Sequence, residues 1–234
     1  MIIDKKVRDW TELNEALFEE TWDPTIHRHR STFAYRGMSD AKYKLTNGLT
    51  RLGKPYPTME RNLLKQFKKY AHSQVVERDT EWHWLSVAQH HGLPTRLFDW
   101  TYSPLVALHF ATYELDKYDK DGAVWKINYS RVHDLLQDQQ MESLNELGAR
   151  IFTVDALAET IPDLKALESR SSRSYDIAIF FEPPAIDDRI INQFAYFSVL
   201  SQPYLSMDKW LNMPHVHDHV NSQWALENVP LVGS

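Results

Sequence analysis

The stretch AQHHGLPTRLFDWTYSPLVALHFA, Ala88–Ala111, carries stop and start signals at close intervals and decides the reading of the fold. Thr80 offers a cap to a helix running through Trp84, Val87 and Ala88. Gly92, with Pro94 just beyond it, ends that helix and leaves His90 and His91 at its terminus. Thr95–Trp100 then reads as a strand. Ser103 follows as a cap and Pro104 as a first-turn proline for a second helix carrying Leu105, Leu108 and Ala111.

Working outward, Pro57 and Thr58 start an earlier helix that turns Leu63, Leu64, Phe67 and Tyr70 inward and a solvated basic side (Arg61, Lys65, Lys68, Lys69) outward. Thr32–Gly37, TFAYRG, has the aromatic content of a short strand and displays Arg36. Asp9 and Glu12 form a capping box before Trp10, Leu13 and Leu17, which recur at helical spacing. Downstream, Asp121-Gly122 introduces the strand AVWKINY, helices fall around residues 131–145, and strands are expected at Asp176–Phe181 and Ala195–Leu200. This irregular interleaving predicts an α+β single domain with mixed, mostly antiparallel sheets flanked by helices.

Composition narrows the class of protein. The 234 residues are 43% hydrophobic, enough to fill a core, and the 8 Trp, 11 Tyr and 10 Phe supply both filler and stacking surfaces. A net charge of −6 gives no general attraction to polyphosphate, so a nucleic-acid partner would need a local basic groove. Without cysteine there is no disulfide framework and no thiolate zinc site. With no secretory leader or membrane-length apolar run, the expectation is a cytoplasmic protein that does not engage the membrane. The run HVHDH, His215–His219, puts three histidines at alternate positions, and His27-Arg28-His29-Arg30 forms a short basic run. Both read as polar surface segments, and no metal is expected.

Two blocks, FAYRGMSD at Phe33–Asp40 and Ala88–Ala111, together resemble the FRG domain family; a third, RIINQFAYFSV at Arg189–Val199, resembles its later aromatic strand, with Ala195 where glycine is expected. The resemblance implies a division into residues 1–31 (N-terminal helix and loop), 32–200 (domain core) and 201–234. The family's usual basic, proline-containing helical segment has no counterpart after Trp224, which marks the last division as a short or truncated extension. The order of elements is also similar, more loosely, to ADP-ribosyltransferases: an Arg ending an early strand, a Ser/Thr-rich strand before a helix, and a late acidic position, here Gln193.

What these resemblances imply is a cleft for NAD or a related small nucleotide, in a protein of toxin or phage-defence type whose macromolecular acceptor is not named. Arg36 would grip pyrophosphate or ribose oxygens through its fork, and Gly37 would let the ligand approach the backbone. Thr95, Arg96, Trp100 and Thr101 would line the cofactor pocket. Asp99, His91 and Gln193 are the catalytic candidates. Arg96 and Asp99 lie three apart on a strand, hence on opposite faces, and Arg96 reads equally as a buried ion pair. Asp99 or Thr101 would otherwise cap backbone groups, Trp100 fill the core, and His90 and His91 satisfy the last carbonyls of their helix. Cleavage of the nicotinamide–ribose bond passes through an oxocarbenium-like state that wants a nearby carboxylate. Gln193 supplies none, whereas Glu182, Asp187 and Asp188 read as a solvated acidic loop that could substitute. An ADP-ribosyltransferase or NAD glycohydrolase and a catalytically silent nucleotide- or nucleic-acid-binding module therefore both remain open.

Overall fold

The structure, a computed structural model, describes residues 3–53, 56–71, 79–171, 175–185, 194–216 and 226–231. Along the chain run β1 (Ile3–Asp4), α1 (Trp10–Phe18), β2 (Trp22–Asp23), β3 (Arg28–His29), β4 (Phe33–Met38), α2 (Gly48–Arg51), α3 (Tyr56–Tyr70), α4 (Glu81–His90), β5 (Phe98–Thr101) and α5 (Pro104–Thr112). They are followed by β6 (Gly122–Asn128), α6 (Tyr129–His133), α7 (Asp138–Glu146), β7 (Phe152–Thr153), α8 (Val154–Thr160), α9 (Leu164–Ser171), β8 (Ala178–Glu182), β9 (Ala195–Leu200), α10 (Met207–Leu211) and β10 (Leu226–Leu231). The expected α+β class with a mixed sheet is found. Eight strands form one sheet in the order β1-β10-β6-β4-β5-β9-β8-β7, while β2 and β3 make a separate hairpin. The two outermost pairs, β1 with β10 and β7 with β8, are parallel and the rest antiparallel.

The punctuation of Ala88–Ala111 works as read. Thr80 accepts the His83 N–H, Gly92 ends α4 at φ 83°, and Ser103 accepts the Val106 N–H ahead of Pro104. Asp9 likewise accepts the Glu12 N–H, and Glu12 returns the bond by accepting from the N–H of Arg8. Three inward assignments are corrected: Trp10 is 62% exposed, Tyr70 76% and Leu105 51%. On α5 the two alanines, Ala107 and Ala111, are buried in its place, because this helix lies too close to the sheet for larger side chains. Arg28–His29, read as a loop, is an exposed hairpin strand. His215 stacks on Tyr175 at 4.3 Å and Val216 is buried, while His217–His219 lie outside the described residues.

Alternation along the strands sorts the core into three clusters. Phe98, Trp100, Ile127, Phe180 and Tyr196 meet α6 and α10 on one face. On the other face Leu97, Ile179, Phe181 and Val199 pack under α4, α8 and α9, while Phe33, Tyr35 and Val124 pack under α1 and α5.

His133 of α6 ties two of these layers together. Its Nδ1 faces the Arg150 carbonyl at 2.9 Å and its Nε2 accepts the Phe180 N–H at 2.9 Å, so the neutral ring is required. Burial drives its pKa from 6.5 down to about 4, the Arg150 carbonyl acting weakly against this. Because the folded value is depressed, the contribution is complete above pH 6.5 and is lost as pH falls toward about 4, as the unfolded chain takes up the proton first. The loss is on the order of 3 kcal/mol. Urea unfolding between pH 7 and pH 4.5 should show it, and His133→Phe should be less stable at pH 7 but flatter over that interval; an equally steep profile in the variant would disprove the assignment.

Candidate functional site

The sheet is nearly split in its middle. β4 and β5 share a single register pair, Tyr35 opposite Thr101; beyond it Arg36–Met38 stay paired with β6, whereas Asp99 pairs with Phe197 of β9. Strands bound tightly to opposite neighbours part from each other, and the gap opens a cleft of about 630 Å³. Arg36, Gly37, Asp99 and Thr101 line it from the strands, Gln89 and His90 from the end of α4, and Phe110 and Tyr113 from the end of α5. The segment after β4 closes the remaining side with Tyr43, Lys44 and Arg51.

Arg36 and Asp99 meet across the gap. Arg36 Nη1 donates to the Asp99 carbonyl at 2.5 Å and lies 3.7 Å from the Asp99 carboxylate. Burial presses the Arg36 guanidinium below the usual arginine value; Asp99 opposes the shift and Arg51 reinforces it. A buffer of hydrogen bonds orients the carboxylate: Leu97 N–H donates to Thr95 Oγ1, Thr95 Oγ1 to Gln89 Oε1 at 2.6 Å, and Gln89 Nε2 to Asp99 Oδ1 at 2.9 Å. The Asp99 side chain is still 59% exposed, so it is fixed in direction yet reachable from solvent. At the opposite rim Ser39 donates to Glu114, which also pairs with Lys117, and Lys117 lies over the Tyr43 ring at 5.0 Å. The bonds to Lys117 and Ser39 hold the Glu114 carboxyl below its ordinary range.

Of the residues singled out in the sequence, the fold brings Arg36, Gly37, Asp99, Trp100 and Thr101 to the cleft. Thr95 is fully buried behind it and acts on Asp99 only through Gln89. Arg96 is 1% exposed and points away, paired with Glu60 and Glu168, so of the two readings left open the buried ion pair describes it and the pocket role is corrected. His91 is exposed at the end of α4 and rests on Phe67; its neighbour His90 takes the position in the cleft. Gln193, Asp187 and Asp188 lie outside the described residues; Gln193 directly precedes Phe194 and Ala195 in sequence, the latter on the cleft wall. Glu182 faces Tyr196 on the sheet face covered by α6, away from Asp99, and desolvation raises its pKa.

Gly37 has a packing role beside its place on the cleft. A Cβ there would lie 1.8 Å from the Ala107 carbonyl oxygen, so the missing side chain admits α5. Sequence reading also passed over Gln89, Arg51 and the aromatic pair Phe110 and Tyr113. Gln89 stands in the quoted block, one residue before the histidines that drew attention; Phe110 is also in that block and Tyr113 follows two residues beyond it, as the C-cap of α5.

The fold and cleft thus define an α+β domain with an open, charged and aromatic groove at a split sheet. Residues 31–120, which hold both of the first two motif blocks, match the family described as FRG domain. No curated protein and no solved structure matches the chain. Among the described residues no helix is long and apolar enough to cross a membrane.

Proposed function

We propose that the cleft binds a pyrophosphate-containing nucleotide, with NAD as the candidate, in an ADP-ribosyltransferase-like arrangement. The observation that carries this reading is the pair of guanidiniums, Arg36 and Arg51, beside a directed, solvent-reachable Asp99 carboxylate and an aromatic wall in one groove. Arg36 has one partner group, Asp99, among the described residues and Arg51 has none, which leaves fork donors for phosphate oxygens. The groove's volume is in the range that encloses small cofactors.

In this reading Asp99 supplies the carboxylate that faces a developing oxocarbenium ion. In such a reaction the ribose–nicotinamide C–N bond breaks with its electron pair leaving on nicotinamide, and an acceptor oxygen or nitrogen bonds to the ribose carbon and gives up its proton. Gln193, assigned to the ribose side by resemblance, would add a hydrogen bond but no charge. A silent nucleotide-binding module is the second reading, favoured by the commitment of Asp99 to both Gln89 and Arg36. A toxin or phage-defence setting rests on the resemblance alone.

Calorimetry with NAD, ADP-ribose and ATP at millimolar concentration tests the binding step. Arg36→Ala should weaken it by about 10- to 100-fold, the loss of charge-assisted bonds worth roughly 1.5–3 kcal/mol. No heat with any of the three overturns the proposal. Nicotinamide release that Asp99→Asn abolishes would identify the transferase, and binding without release the silent module.

A further inference from the structure

The strand ends that bring Thr101 and Ala195 to the cleft bring their neighbours Tyr102 and Phe194 to the opposite face of the sheet. There the Tyr102 N–H donates to the Phe194 carbonyl at 3.0 Å, and the two rings pack with centroids 4.8 Å apart. Tyr196, on the same face of β9, lies 5.4 Å from Tyr102 and 5.5 Å from Tyr129, so four rings form one chain of contacts from solvent into the core. Tyr196 and Tyr129 are buried, whereas Tyr102 is 44% and Phe194 37% exposed. Phe194 sits at φ 52°, in the left-handed region that an aromatic residue rarely adopts, and such strain persists where surrounding contacts hold the residue turned.

Glu182 ends β8 beside this row. The β8–β9 register, Phe180 with Ser198 and Phe181 with Phe197, carries on to set Glu182 opposite Tyr196. Desolvation raises the Glu182 carboxyl above its ordinary range, and no cation among the described residues opposes the rise. Burial chiefly raises the Tyr102 and Tyr196 phenols, and the nearby Glu182 carboxylate adds to both shifts. A partly desolvated negative charge beside exposed ring faces is complementary to a flat, weakly hydrated cation.

We propose that Tyr102, Phe194 and Glu182 form a docking surface for an arginine side chain presented by another protein, its guanidinium lying on the exposed rings and its N–H groups reaching the carboxylate. The packing of the row selects this cation. Rings already in contact leave no hollow for a bulky methylated ammonium, whereas a planar guanidinium stacks on their open faces and sheds water more readily than a lysine ammonium. The platform is open to solvent, which suits a residue projected by a partner chain; a free small molecule needs most of its surface enclosed. Tyrosine and arginine are also among the residues that dominate binding energy at protein interfaces. Because Arg36 and Asp99 lie on the other side of the sheet, the surface stands apart from the nucleotide reading.

The test is an NMR titration of the full isotope-labelled chain with a short glycine–serine peptide, blocked at both ends, that carries a central arginine, lysine or citrulline. The arginine peptide should saturate at millimolar concentration and shift the amides of Tyr102, Glu182 and Tyr196. The lysine peptide should bind about threefold more weakly, and the citrulline peptide, of the same shape without the charge, about tenfold more weakly. Glu182→Gln and Tyr102→Ala should each weaken the arginine peptide by about threefold, the size of an exposed ion pair or cation–ring contact. Both side chains are exposed, so neither change opens the core, and thermal melting verifies folding. Equal binding of the arginine and citrulline peptides, or a Glu182→Gln protein that binds like wild type, would overturn the assignment. So would shifts confined to the Asp99 side of the sheet, which would place the peptide in the cleft, or free L-arginine binding more tightly than the blocked peptide, which would make this a small-molecule site.

Discussion

Glu60→Ala is expected to lower the stability of the folded chain by about 3–5 kcal/mol, the cost of leaving a buried charge without its partner. Glu60 on α3 is fully buried. One of its carboxylate oxygens accepts the Arg96 backbone N–H at 2.9 Å and the other accepts Nε and Nη2 of the same arginine at 2.6 Å. Glu168 of α9 adds a second contact at 2.7 Å, but it is partly exposed and shared with Arg61. Arg96 Nη1 already has no partner among the described residues, so once Glu60 is removed the guanidinium keeps only the Glu168 contact of its Nη2. Because Arg96 directly precedes Leu97 and β5, the damage should extend to the strand that carries Asp99. Urea unfolding of the variant gives the magnitude. A loss below about 1 kcal/mol would mean that water reaches Arg96, contrary to its burial.

Gly37→Ala should be comparably severe, about 3 kcal/mol or more, since inserting a methyl group against immovable backbone exceeds ordinary overpacking. The added carbon would meet the Ala107 carbonyl oxygen at 1.8 Å and the Ala111 amide nitrogen at 2.6 Å, so α5 must lift from β4 by more than a side-chain adjustment allows. Gly122→Ala is the internal comparison. Its nearest contact is the Ala111 oxygen at 3.0 Å, and a smaller loss is expected. Thermal melting and soluble yield report the order. A Gly37→Ala protein that melts like wild type and fails only in ligand binding would leave only the ligand-approach role for this glycine.

The local elements were legible because their signals are local. Thr80, Gly92, Ser103 and Pro104 act on backbone groups within a few residues, and the observed bounds of α4 and α5 follow from them. The partnerships of Arg96 were not, since Glu60 and Glu168 lie 36 and 72 residues away and resemble ordinary helix-surface acids. Gly37 shows the same limit: a glycine that makes room for a helix 70 residues later reads identically to one that makes room for a ligand. In the cleft, Arg36 and Asp99 stood out through their motifs, whereas Gln89, Arg51 and the α5 aromatics became visible only when β4 and β5 parted. The α8–α9 region and strand β10 were missed outright. Short helices of seven and eight residues give weak periodicity, and β10 carries Pro230, a residue that argues against a strand paired on both sides.

The position of β10 bears on how the molecule assembles. It covers β6 along six residues, Gly122–Ile127, and in turn pairs Ile3 with Glu227. The β10–β6 pairing closes a loop of about a hundred residues and the β1–β10 pairing nearly the whole chain, so both should form after the hairpin-like and helical contacts have collapsed. Until then β6, reading GAVWKIN, offers a bare row of amides and carbonyls to any other chain, with Lys126 the only charge along it. Nascent or partly unfolded molecules are thus most vulnerable to intermolecular strand pairing at this edge, on the side of the sheet remote from β7 and β8.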